Sequence, residues 1–376
     1  MTVRFADAKS VMQRAIDLAR QGEGHVEPNP LVGAVIVDDQ LERLGEGYHE
    51  RFGGPHAEVN AIAGAGDRSP GATLYVTLEP CSRQGKTPPC TTAVLRAGLR
   101  RVVVGLRDPS QAEEGIAALT RAGVEVEVGL LERECARLAA PFVKRVSAGR
   151  VYVHAKWAMT LDGKIAARTG RSRWISNETS RALVHRLRGR MDAILIGAAT
   201  ARTDDPLLTA RPPGPRIATR IVLDRRAELS LDSQLVQTAG EAPLLIATLD
   251  DAPEDNVRSL ESRGAEVLRF ARGPRADDAS GVHAAIPLNE LLQTLAQRGM
   301  TNVLVEGGGR LLGSFFDAEL IDEVHAWIAP KIVGGRRART AVEGIGLAEI
   351  AKAFQLDPPA IELLDGDVYV HGPLRH

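Results

Sequence analysis

The feature that most constrains this chain is an alternation that runs along both of its halves. Short apolar runs of strand length are interleaved with segments whose apolar residues recur at helical spacing. In the first half, Leu31 to Val37, Leu74 to Leu78, Arg101 to Leu106 and Val124 to Val128 read as strands. Asp7 to Arg20, Ala57 to Ala63 and Cys90 to Ala97 read as helices, with Asp7 as the cap of the first and Gly98 as the stop of the third. Such alternation predicts α/β layers around a largely parallel sheet. A charged helical stretch, Glu132 to Arg150, closes the series. A second series starts at Val151-Tyr152-Val153-His154-Ala155. It continues with strands expected at Ala193 to Gly197, Arg220 to Leu223, Pro243 to Ala247, Ala265 to Arg269, Asn302 to Val305 and Glu323 to Ile328. Ser176 is the expected cap of a helix over Glu178 to Arg188, and Arg272 to Gly281 an expected surface loop. At 376 residues the chain exceeds one comfortable core. We therefore expect two domains, 1–147 and 148–376.

Composition narrows the function classes. The net charge is −1, which leaves no basic footprint for nucleic acid or an anionic membrane. No uninterrupted apolar run reaches the roughly 18 residues of a membrane span. No apolar run follows Met1-Thr2-Val3-Arg4-Phe5-Ala6-Asp7, so no secretory signal is expected. The three cysteines, Cys81, Cys90 and Cys135, are too few and too odd in number for a disulfide framework and fit a reducing cytoplasm. The expected partner is a small molecule.

Two of those cysteines share a Pro-rich loop and complete a metal set. His56-Ala57-Glu58 is followed by Pro80-Cys81 and then Cys90. Catalytic zinc takes three protein ligands and keeps a fourth position for water, whose pKa it lowers toward ~7. His56, Cys81 and Cys90 supply one such set, for one zinc per chain. Removing an amine from an amidine-like carbon also needs a carboxyl group to move the proton, and Glu58 stands beside the metal ligand at a helix start. The order His-x-Glu, then Pro-Cys, is the signature of zinc deaminases as a class. The competing reading is a closed structural zinc, which requires a fourth protein ligand, and His49 is the nearby candidate.

The surrounding residues carry a more specific resemblance. Pro28-Asn29-Pro30-Leu31-Val32-Gly33, Gly45-Glu46-Gly47-Tyr48-His49 and the extended loop from Pro80-Cys81 through Gly85-Lys86-Thr87-Pro88-Pro89-Cys90 resemble the deaminase domain of the bifunctional deaminase–reductase family of riboflavin biosynthesis. The resemblance implies a cytidine-deaminase-like three-layer αβα domain. It implies a substrate with a pyrimidine amine and a ribosyl 5′-phosphate, contacted by Asn29, His49, Lys86, Thr87 and Asp108. The chain departs from the family at Arg83, commonly His, and at Ser110, commonly Asn. The stretch Gln111 to Ile116 also lacks the usual basic Gly-rich step.

The second half carries its own ordered set: Lys156-Trp157-Ala158-Met159-Thr160-Leu161-Asp162-Gly163-Lys164, Ser172-Arg173-Trp174, Gly197-Ala198-Ala199-Thr200, Asp204-Asp205-Pro206-Leu207-Leu208 and Glu306-Gly307-Gly308-Gly309-Arg310. A Gly-rich turn from strand into helix suits an anion, because free N–H groups and a helix N-terminus both face it. It is not the dinucleotide fingerprint in its usual place, so no Rossmann domain is inferred. The set resembles the reductase domain of the same family. That implies a dihydrofolate-reductase-like α/β fold, NADPH, and reduction of the ribosyl to the ribityl side chain at C1′. By the same resemblance, Ala158, Trp174, Thr200, Asp204 and the run Gly308, Gly309, Arg310, Leu311, Leu312, Gly313 and Ser314 are expected to contact NADPH. Lys156, Ser172, Arg188, Leu208, Arg211 and Glu306 are expected to contact the substrate. Arg225 and Arg226 are candidates for the 2′-phosphate by location and charge. The family also implies a homo-oligomer, a dimer or larger.

Two other readings remain open on the residues alone. One is a zinc deaminase of another base or nucleoside with a degenerate second half. The other is a zinc-stabilised regulatory protein without activity, against which Glu58 stands, since a structural zinc needs no acid beside it.

Overall fold

A computed structural model describes residues 3–85, 88–111, 113–272 and 286–375. The chain divides into two compact units, Met1–Gly149 and Arg150–His376. The first contains α1 (Ala8–Ala19), β1 (Gly33–Val37), β2 (Arg43–Tyr48), α2 (Ala57–Ala65), β3 (Thr73–Leu78), α3 (Cys90–Arg96), β4 (Arg101–Leu106), α4 (Glu114–Arg121), β5 (Glu125–Val128) and α5 (Glu132–Ala148).

The first unit is three layers deep. Its sheet runs β2-β1-β3-β4-β5. Val35, Val37, Tyr75 and Val103 face Val11, Met12, Ala15 and Ile16 of α1 and Cys135 of α5. Ala34, Ile36, Leu74, Val76, Val102 and Val104 face Ala57 and Ala61 of α2, Val94 of α3 and Leu119 of α4. With both faces covered, β1 and β3 are buried at every position, which is why they read as continuous apolar runs rather than as alternating ones. The helix α1 opens on a reciprocal cap: Asp7 accepts from the Ser10 N–H, and Ser10 Oγ from the Asp7 N–H.

One expectation needs correction here. The sheet is mixed, because β1 pairs antiparallel with both β2 and β3 and only β3-β4-β5 are parallel. The sequence reading missed β2, whose Arg43-Leu44-Gly45-Glu46-Gly47-Tyr48 carries no apolar alternation. Its glycines have a packing reason instead: a Cβ at Gly45 or Gly47 would strike the backbone of α2 at Ala61. That close approach lays α2 directly on β2.

The second unit contains β6 (Tyr152–Thr160), α6 (Glu178–Arg188), β7 (Ala193–Gly197), α7 (Ala198–Asp204), β8 (Thr219–Leu223), α8 (Gln234–Gln237), β9 (Leu244–Leu249), α9 (Glu254–Glu261), β10 (Glu266–Phe270), α10 (Leu288–Gln297), β11 (Asn302–Glu306), α11 (Gly309–Asp317), β12 (Glu323–Ala329), β13 (Gln355–Leu356), β14 (Ala360–Leu364) and β15 (Asp367–Arg375). Its sheet runs β10-β9-β8-β7-β11-β6-β12-β15-β13, with β14 on β15. From β10 to β12 every pairing is parallel, and β15 then turns the edge antiparallel. The three terminal strands were not anticipated. Asn177, not Ser176, caps α6, because the Asn177 side chain accepts from the Ser180 N–H. Of the expected loop from Arg272 to Gly281, only Arg272 lies within the described residues. No helix among the described residues is long and apolar enough to cross a membrane.

Candidate functional site

In the first unit the fold delivers three metal-ligating side chains to one point. His56 sits in extended conformation at the N-cap of α2, Cys81 follows the end of β3, and Cys90 is the first residue of α3. His56 Nδ1 lies 3.2 Å from Cys90 Sγ and 3.6 Å from Cys81 Sγ, and the Cys90 N–H donates to Cys81 Sγ at 3.3 Å. Nitrogen and sulfur ligands of tetrahedral zinc stand about 3.6 Å apart, from bond lengths near 2.05 and 2.3 Å. The thiol of Cys90 hydrogen-bonds Cys81 and pulls the Cys81 pKa down, while the same contact, with burial, pushes Cys90 up. The imidazole and the two thiols thus converge on one point where a cation fits.

The candidate fourth ligand is accounted for elsewhere. His49 Nε2 meets Asn29 Nδ2 at 3.1 Å, and His49 Nδ1 meets the Pro55 carbonyl at 2.9 Å. Among the described residues the cluster is His56, Cys81 and Cys90 alone. The set therefore leaves one position open to a cavity of about 300 Å³, lined by Asn29, His49, Glu58 and Asp108 among others. Glu58, in the first turn of α2, is 3% exposed, and its Oε2 finds no hydrogen-bond partner among the described residues. Burial raises its pKa to about 7 against the opposing pull of His56. A carboxyl group poised near neutrality can both accept and return a proton.

Several residues that hold this site were not foreseen. Glu79, buried at the end of β3, accepts from the N–H groups of Asp108 and Ile116 at 3.1 and 3.0 Å and so ties the metal loop to the segment after β4. Gln111 accepts from the Ser82 N–H at 2.8 Å and donates to Asp108 Oδ2 at 2.6 Å. Arg83 makes a two-pronged contact with Glu114, at 3.0 Å on each prong. Two positions at which the chain departs from the family pattern are thus partners of each other. Lys86 and Thr87 lie outside the described residues.

In the second unit, parallel pairing sets Glu306 of β11 beside Lys156 of β6. Arg188, from the last turn of α6, grips Glu306 with Nε to Oε1 at 2.6 Å and NH2 to Oε2 at 2.8 Å, and Lys156 Nζ stands 3.5 Å from Oε2. Burial pushes the Glu306 carboxyl up, and the two cations more than offset it, holding it at about 2. Burial lowers the Lys156 pKa, with Glu306 opposing. The ion cluster lines a cleft of about 640 Å³ together with Ala158, Ser172, Trp174, Thr200, Asp204, Leu208, Arg211 and Gly308. Ser172 Oγ reaches Asp204 Oδ1 at 3.4 Å. The Trp174 ring is exposed and lies 4.5 Å from the Arg181 guanidinium.

A neighbouring cavity of about 520 Å³ is lined by Thr200, Asp224, Arg225, Arg226 and the start of α11 from Gly308 to Leu311, with Ser314. The Gly308 N–H donates to Thr200 Oγ1 at 3.2 Å, which fixes the turn against α7. Two expectations change. Leu312 is fully buried in the core, and Gly313 packs under the Glu343 carbonyl, so neither offers a side chain to the cavity. Arg188 spends its fork on Glu306, so the exposed Arg211 is the freer cation for an anionic substrate. Asp224 was missed: it is buried at the end of β8, and its Oδ2 has no partner among the described residues.

The fold and the two sites define a zinc-type deaminase domain followed by a reductase domain. Residues 6–106 match the family model of the cytidine and deoxycytidylate deaminase zinc-binding region, and residues 151–369 that of the RibD C-terminal domain. The riboflavin biosynthesis protein RibD of Actinobacillus pleuropneumoniae is 42% identical over 95% of this chain and 93% of its own, and that of Escherichia coli (strain K12) 37% identical over 96% and 97%. Acinetobacter baumannii RibD aligns with a TM-score of 0.83 at 33% identity, covering 98% of this chain and 99% of its own. A Thermotoga maritima structure described as a diaminohydroxyphosphoribosylaminopyrimidine deaminase/5-amino-6-(5-phosphoribosylamino)uracil reductase aligns at 0.79 and 34%, covering 98% of each chain. The chain belongs to the RibD family, bifunctional deaminase–reductases of riboflavin biosynthesis that use zinc in one domain and NADPH in the other.

Proposed function

We propose that the first unit hydrolytically deaminates 2,5-diamino-6-(5-phosphoribosylamino)pyrimidin-4(3H)-one, and that the second unit reduces the ribosyl side chain of the product to ribityl. The observation that carries the first step is the open position of the His56–Cys81–Cys90 set beside Glu58. Zinc held by His56, Cys81 and Cys90 would lower the pKa of a bound water, and NADPH in the second unit would supply hydride. Glu58 takes a proton from the water and returns it to the departing amine. Asn29, positioned by His49, reads the base edge, and Asp108 lines the same cavity. Lys86 and Thr87 are carried over from the family as phosphate contacts.

In the second unit Lys156 holds the proton that accompanies hydride, and Glu306 keeps that ammonium charged and aimed. Arg211 and Ser172 receive the sugar phosphate and hydroxyls, beside Leu208. The N-terminus of α11, with Gly308, Gly309, Arg310 and Leu311, receives the pyrophosphate of the cofactor, and Arg225 and Arg226 face its 2′-phosphate. Ala158, Trp174, Thr200, Asp204 and Ser314 complete that site, with Leu312 and Gly313 supplying backbone alone. The protein is read as a cytoplasmic homo-oligomer acting on small molecules, without nucleic-acid or membrane partners. Support for oligomerisation comes from Ile361 and Leu363, exposed on β14. Incubating the full chain with this substrate and NADPH, and identifying products by mass, tests the reading. The expected product has exchanged one amine for an oxygen of water and gained two hydrogens, and an unchanged substrate overturns it.

A further inference from the structure

The second unit holds another convergent set of ligating atoms, on the strand pair β6–β12 next to the Lys156–Glu306 pair. His154 of β6 stands in register with Glu323 of β12, and His325 lies two residues further along β12 on the same face. His154 Nδ1 is 3.1 Å from His325 Nε2 and 3.7 Å from Glu323 Oε2, and His325 Nε2 is 3.4 Å from Glu323 Oε1. These atoms all lie within 4.8 Å of one another. Both imidazoles are buried, and the Glu323 side chain is 24% exposed, which leaves a way in from solvent.

We propose that His154, His325 and Glu323 form a second divalent metal site, of the two-imidazole, one-carboxylate kind that suits zinc. Ligands about 2.05 Å from a tetrahedral zinc stand about 3.3 Å apart; the two imidazole nitrogens stand 3.1 Å apart, and one or other Glu323 oxygen comes within 3.7 Å of each. A plain hydrogen-bonded chain accounts for the contact between the imidazoles. It does not account for the carboxylate, whose oxygens stop 3.4 and 3.7 Å short of both rings, longer than a good hydrogen bond and right for neighbouring ligands. Each ligand also has a further polar partner. His154 Nε2 meets Asn302 Oδ1 at 3.2 Å, His325 Nδ1 meets the Tyr369 hydroxyl at 2.7 Å, and the Tyr152 hydroxyl donates to Glu323 Oε2 at 3.3 Å. Such partners orient ligands and fix their tautomers. Binding needs only that the His325 proton sit on Nδ1, donated to the Tyr369 oxygen, so no proton need leave either ring. The ion would staple β6 to β12 two residues before Lys156.

The test uses the full chain, with Cys81→Ser/Cys90→Ser removing the first site. After loading with zinc and desalting, the wild type should retain two zinc ions per chain and the double-cysteine variant one. Adding His325→Gln should remove that last ion, and Glu323→Gln, milder for folding, should do likewise. Tyr369→Phe should weaken zinc binding 10–100-fold. Cobalt in the double-cysteine variant should give weak d–d bands without thiolate charge transfer, whereas wild type shows both. A double-cysteine variant that holds no metal, or one whose metal survives both His325→Gln and Glu323→Gln, overturns the site without touching the deaminase reading.

Discussion

Glu58 in the first unit and Glu306 in the second are 3% and 8% exposed, yet one is pushed up to about 7 and the other held at about 2. Burial acts on both in the same direction. The difference lies in their neighbours: Glu58 has an oxygen with no hydrogen-bond partner among the described residues beside an open metal position, whereas Glu306 is gripped by Arg188 and approached by Lys156. Desolvation left alone makes a proton carrier, and desolvation answered by two cations makes a fixed anion that orients other groups. The two halves therefore use the same residue type for opposite tasks.

The contrast can be broken most sharply at Glu58. Glu58→Gln should lower ammonia release by 10²–10⁴-fold, the usual worth of a positioned acid/base, while zinc content and NADPH oxidation on already deaminated substrate stay intact. Next comes Glu306→Leu. It strands Arg188 and Lys156 without their anion, and breaking a buried ion pair costs about 3–5 kcal/mol. Thermal melting should show that loss in the second unit along with lost reduction. The pH dependence carries the same sign logic. The folded pKa of Glu306 lies below its unfolded value of about 4.3, so its contribution is full above that value and lost as pH falls through about 2. Acid titration of Glu306→Gln should lack that component.

How much of this was legible beforehand divides along physical lines. His56, Glu58, Cys81 and Cys90 were readable because metal chemistry restricts residue type and order. Most strands between Leu74 and Ile328 were readable because burial on both faces leaves unbroken apolar runs. β2 was not, since its glycines answer to α2 rather than to a sheet pattern. Neither was β14, whose outward Ile361 and Leu363 have no core to report. Glu79, Gln111 and Asp224 escaped because their roles lie in backbone contacts and burial made by segments distant in sequence. Arg188 was legible as a site residue, but its partner was not.

Smaller effects sharpen the comparison. Burial places the Lys156 pKa below the ordinary value of 10.5. NADPH oxidation should therefore fall as pH rises through that lowered value, and Lys156→Arg, which keeps the charge but does not release its proton, should lose most of the reduction while ammonia release persists. Asn177→Ala should cost about 1 kcal/mol through loss of the α6 cap, read as a modest drop in melting temperature with both chemical steps retained.

The most direct measurement follows ammonia and NADPH absorbance separately in Glu58→Gln, first with the diaminopyrimidine ribosyl phosphate and then with its deaminated product. The account predicts almost no ammonia and no NADPH oxidation from the first compound, and wild-type oxidation with the second. Substantial ammonia release, or failure of the second reaction in a properly folded protein, would contradict it.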